Sequence, residues 1–213
     1  GSRGYSLIYK LKKNKISKNW IKKQQRDIFV KNSKISGYRS RAIYKLEEID
    51  NKFNLFNKFS NVIDLGAAPG SWSQYLSLKI TKGKILSIDL KKIEKIDRIY
   101  FIEGDFTDSL TQEKIHNYFK KKIDVLVSDM AANTTGNKNL DSSVTGDLCI
   151  EAMNFSKLML NKHGHFVSKF FMGSSSDEII SLAKKNFKNV KIFKPSASRA
   201  ESKENFIICK YLK

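Results

Sequence analysis

Lys45, Asp129, Lys169 and Glu204 are the residues of this chain whose types suit proton chemistry: two amines and two carboxylates, each at a strand end or in a helix of one α/β pattern. A lysine acts as a base once its amine has given up a proton, which burial or a second nearby cation favours. Lys169 lies in the apolar run Phe166-Val167-Ser168-Lys169-Phe170-Phe171, where a charge is costly unless paired or employed. Alone it reads as an edge residue facing water. With Lys45 as a second cation, and Asp129 and Glu204 to position the amines, it has a use.

A second constellation suits a nucleotide-like ligand. Asp64-Leu65-Gly66-Ala67-Ala68-Pro69-Gly70 runs from a strand through a glycine-bearing turn into a helix that begins Ser71-Trp72. Glycine lets the backbone approach a ligand closely. The spacing is not G-x-G-x-x-G, so the loop suits a ligand without a pyrophosphate. Asp89 ends the next strand, where an acid accepts from ribose hydroxyls. Asp105, followed by Phe106, comes after the third strand and is placed to accept from an adenine amino group. Singly each acid reads as a loop cap; at the ends of successive strands they mark a pocket.

The elements that must position these residues alternate. Seven short apolar runs, Val62–Leu65, Ile85–Asp89, Tyr100–Ile102, Ile123–Ser128, His165–Phe170, Val190–Phe193 and Phe206–Cys209, are mostly separated by helix-length segments. This predicts a seven-stranded, mostly parallel sheet with helices on both faces, and ligands outside the carboxyl ends of the strands. Ala42, Ile43, Leu46 and Ile49 recur at helical spacing behind Ser40 as N-cap, with Lys45 off the most apolar stripe. The polar segment from Asn133 to Thr145 is expected to be a loop and a candidate substrate lid.

The 213 residues, 40% apolar with 14 Phe, suffice for one sizeable core and would leave two domains cramped. Residues 1–36 are expected to form a basic N-terminal arm, and residues 37–213 a single domain. The net charge is +19, and residues 1–60 hold 16 Lys/Arg against 4 Asp/Glu, leaving +7 for the rest. Such an excess at one end fits a protein that neutralises phosphates, although lysine-rich surfaces also arise from composition alone. No run of about 18 apolar residues predicts a membrane span. Cys149 and Cys209 are isolated in apolar surroundings and read as free thiols of a reducing compartment. His116, His163 and His165 lack metal-ligand spacing, so no metal is expected. Gly1-Ser2 reads as an expression remnant, which leaves room for a trimmed targeting segment.

The motifs together resemble the FtsJ/RrmJ family of RNA ribose 2′-O-methyltransferases. The resemblance covers roughly residues 37–211, through Arg39–Leu46, Asp64–Tyr75, Ser128-Asp129-Met130-Ala131, Lys169 and Lys194–Glu204. It implies a Rossmann-like fold that binds S-adenosyl-L-methionine at Asp64, Gly66, Ala68, Pro69, Gly70, Trp72, Asp89, Asp105, Phe106 and Asp129. It also implies a catalytic Lys-Asp-Lys-Glu tetrad on Lys45, Asp129, Lys169 and Glu204, with Lys169 as proton acceptor. Two departures stand out: Ala131-Ala132-Asn133 where the family often has Ala-Pro-Asn, and Ala68-Pro69-Gly70-Ser71-Trp72 where Ala-Pro-Gly-Gly-Trp is common. Neither removes a functional group.

Arg39, Arg41, Arg199 and Lys203 flank tetrad members and are candidate RNA contacts, with Tyr38, Tyr44 and Phe171 as nearby aromatics. The length and the flanks of the tetrad resemble the ribosomal branch, which implies a uridine of large-subunit ribosomal RNA as substrate, within the large subunit or its precursor. A monomer is expected, intracellular, in the cytoplasm or an organelle, with the nucleolus open. The rivals are a tRNA or mRNA-cap 2′-O-methyltransferase and a non-catalytic RNA-binding assembly factor; the glycine spacing disfavours a nucleotide-dependent oxidoreductase.

Overall fold

The structure, a computed structural model, describes residues 37–131 and 138–213, the side chains of 138–143 excepted. The basic arm over residues 1–36 lies outside them, as do residues 132–137. In chain order the elements are α1 (Ile43–Phe53), β1 (Val62–Leu65), α2 (Ser71–Lys79), β2 (Ile85–Asp89), β3 (Ile99–Glu103) and α3 (Ser109–Phe119). They continue with β4 (Ile123–Ser128), α4 (Lys138–Met159), β5 (Leu160–Phe171), α5 (Ser176–Asn186), β6 (Phe187–Phe193) and β7 (Glu204–Leu212).

All seven expected strands are present in one sheet of order β3-β2-β1-β4-β5-β7-β6. The first five run parallel, and β7 inserts antiparallel between β5 and β6. The central strands are buried on both faces, which is why Val62-Ile63-Asp64-Leu65 and Ile123–Ser128 read as near-continuous apolar runs. Alternation divides their side chains between two cores. Ile63, Leu65 and Leu126 pack with Ile115, Met153 and Ile179 under α3, α4 and α5. Val62, Val125, Val127, Val167 and Phe206 pack with Leu46, Ile49, Trp72 and Leu76 under α1 and α2.

Two sequence expectations need correction. Lys138–Thr145 is the first part of α4 and not loop; Leu140, Val144 and Leu148 recur every four residues, and that helical spacing outweighs the polar Asn, Asp and Ser between them. Ser40 does not cap α1, which starts after Ala42. Its hydroxyl instead accepts from Ala42 N at 3.3 Å and donates to Ser71 Oγ at 2.9 Å, tying the entry of α1 to the entry of α2.

Candidate active site

Strand periodicity carries the tetrad to one place. Residues 125, 127 and 129 share a face, as do 167 and 169, and as do 204 and 206, and in each set the apolar members lie in the core under α1 and α2. Register then aligns them along the strands. Ser128 of β4 is paired with Ser168 of β5, so Asp129 and Lys169 come one residue later side by side. Lys169 is paired with Phe206, and Phe171 with Glu204. The outcome is two ion pairs: Lys169 Nζ to Asp129 Oδ1 at 3.2 Å, and Lys45 Nζ to Glu204 Oε1 at 2.7 Å. The four side chains are 11–18% exposed.

Lys45 is thus buried beneath its helix, where the sequence pattern had set it off the apolar stripe. Its aliphatic stem packs inward while the amine meets Glu204. The segment leading to Glu204 is itself fastened. Glu48, one turn beyond Lys45 on α1, accepts from Ser196 N at 2.8 Å, from Ala197 N at 3.2 Å, and from the Ser196 hydroxyl. Lys194 Nζ donates to the carbonyls of Ser202 at 2.7 Å and Glu204 at 2.8 Å.

A cleft of about 700 Å³ opens beside the tetrad at the carboxyl ends of β1 to β4, within the usual size for a small-molecule site. Gly66, Ala68, Asp89, Asp105, Phe106 and Asp129 line it, as the sequence reading expected of cofactor contacts. Ile88, Leu90, Lys91, Thr107 and Met130 also line it, and Val144, Leu148 and Glu151 of α4 close one side. Of the last three, Val144 falls in the segment expected to be loop, and none was singled out from sequence.

Backbone geometry shapes the cleft. Gly66 has φ +70°, and a Cβ there would fall 2.5 Å from Met130 Cγ. Gly70 has φ +115°, and a Cβ there would fall 2.6 Å from a guanidinium nitrogen of Arg39. Asp89 holds the loop as well as facing the cleft: Oδ2 accepts from Ala68 N at 2.9 Å and Oδ1 from Lys91 N at 2.8 Å. Asp105 Oδ1 accepts from Thr107 N and its hydroxyl, at 2.9 and 2.8 Å.

Asp64 is fully buried behind this loop. Its Oδ2 accepts from Ser73 Oγ at 2.8 Å, while Oδ1 has no hydrogen-bond partner. Burial, together with the nearby charges of Asp129 and Asp89, pushes its carboxyl up to about 7 despite the Ser73 bond.

Other expected site residues do different work. Trp72 does not line the cleft: it is 2% exposed, packs on Phe206, and donates its indole N–H to Ala42 O at 2.9 Å. Pro69 and Gly70 form the turn rather than the wall. Arg39, read from sequence as an RNA contact, spends its guanidinium on the carbonyls of Pro69 and Glu94, both at 2.9 Å, and of Lys95 at 3.4 Å. Carbonyl acceptors of this kind leave no trace in side-chain chemistry, so the sequence favoured a phosphate. Arg199 and Lys203 are exposed and Arg41 is half-buried. Tyr38 and Tyr44 meet edge to face, with centroids 6.1 Å apart, and pack against the α1 core.

The model of the family described as FtsJ-like methyltransferase matches residues 38–212. The ribosomal RNA large subunit methyltransferase E of Pelagibacter ubique is 61% identical over 203 residues, covering 95% of this chain and all of the relative. The protein of the same name from Rickettsia felis is 43% identical, over 90% of this chain and 87% of the relative. Among solved structures, a protein of Plasmodium falciparum described as a ribosomal RNA methyltransferase superposes with a TM-score of 0.74 at 30% identity, covering 82% of this chain and 98% of that one. With this fold, this site and these relatives, the chain belongs to the FtsJ-like methyltransferase family.

Proposed function

We propose that this protein transfers a methyl group from S-adenosylmethionine to the 2′-hydroxyl of a ribose in large-subunit ribosomal RNA, with a uridine as the modified nucleotide. The observation that carries the reading is the pair of lysine–carboxylate contacts set against an acid-lined cleft. The names of the relatives support the choice of RNA.

The cleft fits this cofactor by charge. Among the described residues, four carboxylates, Asp89, Asp105, Asp129 and Glu151, line it against one cation, Lys91. Such a wall repels a pyrophosphate and favours a cationic ligand. Asp89 would take the ribose hydroxyls, Asp105 the adenine amine, and Asp129 would face the methionine end. Bound there, S-adenosylmethionine supplies an electrophilic methyl on a sulfonium.

The chain's own groups supply the rest. A ribose hydroxyl is a poor acid, so it needs a base within hydrogen-bond reach and an in-line hold on its oxygen. Lys169 Nζ, once it has released its own proton to solvent, takes the hydroxyl proton as the oxygen is methylated, and Asp129, 3.2 Å away, steadies the resulting ammonium. Lys45, anchored on Glu204, presents a second amine that positions the hydroxyl. Exposed Arg199 and Lys203 hold the phosphates flanking the target ribose.

The test is methyl transfer from radiolabelled S-adenosylmethionine to purified large subunits from cells lacking this protein, with tRNA transcripts alongside. Label at an alkali-resistant uridine linkage of the ribosomal RNA is expected. Label on tRNA alone, or on a base, would overturn the reading.

A further inference from the structure

The amino ends of the strands, opposite the site, form a second surface with its own character. Four segments meet there: residues 54–61 ahead of β1, 80–84 ahead of β2, 120–122 ahead of β4, and 161–164, where β5 bulges away from β4. They are knitted together. Lys58 O accepts from Lys82 N at 2.7 Å and Gly83 N at 3.1 Å, and Asn61 O accepts from Asp124 N at 2.9 Å. Asn61 Oδ1 accepts from Lys84 N at 2.9 Å, and Lys122 Nζ donates to Leu158 O at 2.5 Å. The packing leaves no slack, for a Cβ on Gly83 would fall 1.8 Å from Ser60 O.

This platform is strongly basic. Lys58, Lys82, Lys84, the triplet Lys120-Lys121-Lys122 and Lys162 are all exposed. The one acid in these segments and the residues joining them, Asp124, has both oxygens engaged inside the platform, by Asn61 N at 2.8 Å and Asn161 Nδ2 at 3.2 Å. Six of the lysines belong to residues 61–213; less Asp124, they make +5 of the +7 that those residues carry. Positive charge is thus concentrated in these segments, while the cleft at the opposite ends of the strands is lined by carboxylates. Phe59, 62% exposed, stands among the cations with Lys58 Nζ 5.1 Å from its ring centroid.

We propose that this pole is a second RNA-binding surface, which grips the phosphate backbone of a segment other than the one whose ribose enters the active site. The inference rests on the reading of ribosomal RNA as substrate. Strands of five residues separate the two poles by roughly 17 Å, too far for one nucleotide to touch both. Interfacial membrane binding uses an amphipathic helix with a continuous apolar face, whereas these loops set lysines around one aromatic, as single-stranded nucleic acid requires.

The test uses the full chain carrying Lys82→Gln, Lys120→Asn, Lys121→Gln and Lys162→Gln, with arginine at the same four positions as a control. Binding to a large-subunit ribosomal RNA fragment is followed by fluorescence anisotropy against salt. The neutral variant should lose about three units of the log–log salt slope, and its KM for large subunits should rise at least tenfold. Its kcat should stay unchanged, and the arginine set should behave as wild type. Unchanged slope and KM in the neutral variant, or arginine substitutions as damaging as neutral ones, would overturn the proposal. So would a loss confined to anionic phospholipid vesicles. If wild type itself methylates no ribosomal RNA, the proposed function fails first; if it methylates normally while the slopes match, only the second surface fails.

Discussion

Lys45 Nζ stands 2.7 Å from Glu204 Oε1, across 159 residues of chain, and joins the first described helix to the first residue of the last strand. Lys169 is matched in the same way with Asp129. Each buried amine has its own carboxylate within ion-pair distance.

Glu204→Gln leaves a buried ammonium beside a neutral amide and should destabilise the fold by about 3 kcal/mol, seen as a lower Tm in thermal unfolding. The double substitution Lys45→Met with Glu204→Leu should recover most of that stability and none of the turnover. Recovery of turnover in the double variant would deny these residues a part in catalysis.

Removing the amine of Lys169 should act chiefly on the chemical step. Lys169→Ala is expected to lower kcat by about 10²–10⁴-fold, and to change the cofactor Kd by calorimetry far less, through the loss of its contact with Asp129. A Kd weakened as much as kcat would place Lys169 among the cofactor contacts.

Asp89→Ala should have the reverse signature. It removes a carboxylate that lines the cleft and also frees Ala68 N and Lys91 N, each held by it. Charged hydrogen bonds of this kind contribute about 1.5–3 kcal/mol, so cofactor affinity should fall at least tenfold. Calorimetric titration that matches wild type would refute the assignment.

Arg39→Ala separates loop support from RNA contact. The guanidinium ties Pro69 to the loop at Glu94 and Lys95, so its loss should weaken cofactor binding by about tenfold, equivalent to one net hydrogen bond. The salt slope of RNA binding should be unchanged. A slope reduced by about one unit with normal cofactor affinity would restore the phosphate role.

Asp64 carries a pH signature. Its carboxyl is raised to about 7 from 3.8 by burial, so between those values the folded chain holds a proton that the unfolded chain releases. Stability from this group is present in full below about pH 3.8, and is lost as pH rises to about 7. Asp64→Asn should therefore gain stability relative to wild type between pH 4 and pH 7, read from urea midpoints. A constant difference across that range would show that Asp64 is ionised throughout.

The strands were legible because central parallel strands must be apolar on both faces; that Asp129, Lys169 and Glu204 share one face follows from the register of β4, β5 and β7. Partners could not be read in the same way. Arg39 looked like a phosphate contact because its acceptors are backbone carbonyls, which every residue has. Trp72 was a ligand contact only by the family resemblance, and its ring fills the core beside Phe206. Val144 was missed because a run rich in Asn, Asp and Ser obscured four-residue spacing, and Leu148 and Glu151, further along the same helix, carry no sequence signal of their own.

The antiparallel insertion of β7 sets the order in which the two halves of the site can mature during synthesis. The cofactor loop, Asp89, Asp105 and Asp129 are all made within the first 129 residues, on strands that pair with one another. Lys45 waits for Glu204, and among the described strands β6 borders only β7. A growing chain can therefore assemble much of its cofactor cleft well before it can methylate anything, and activity arrives only with the final strand.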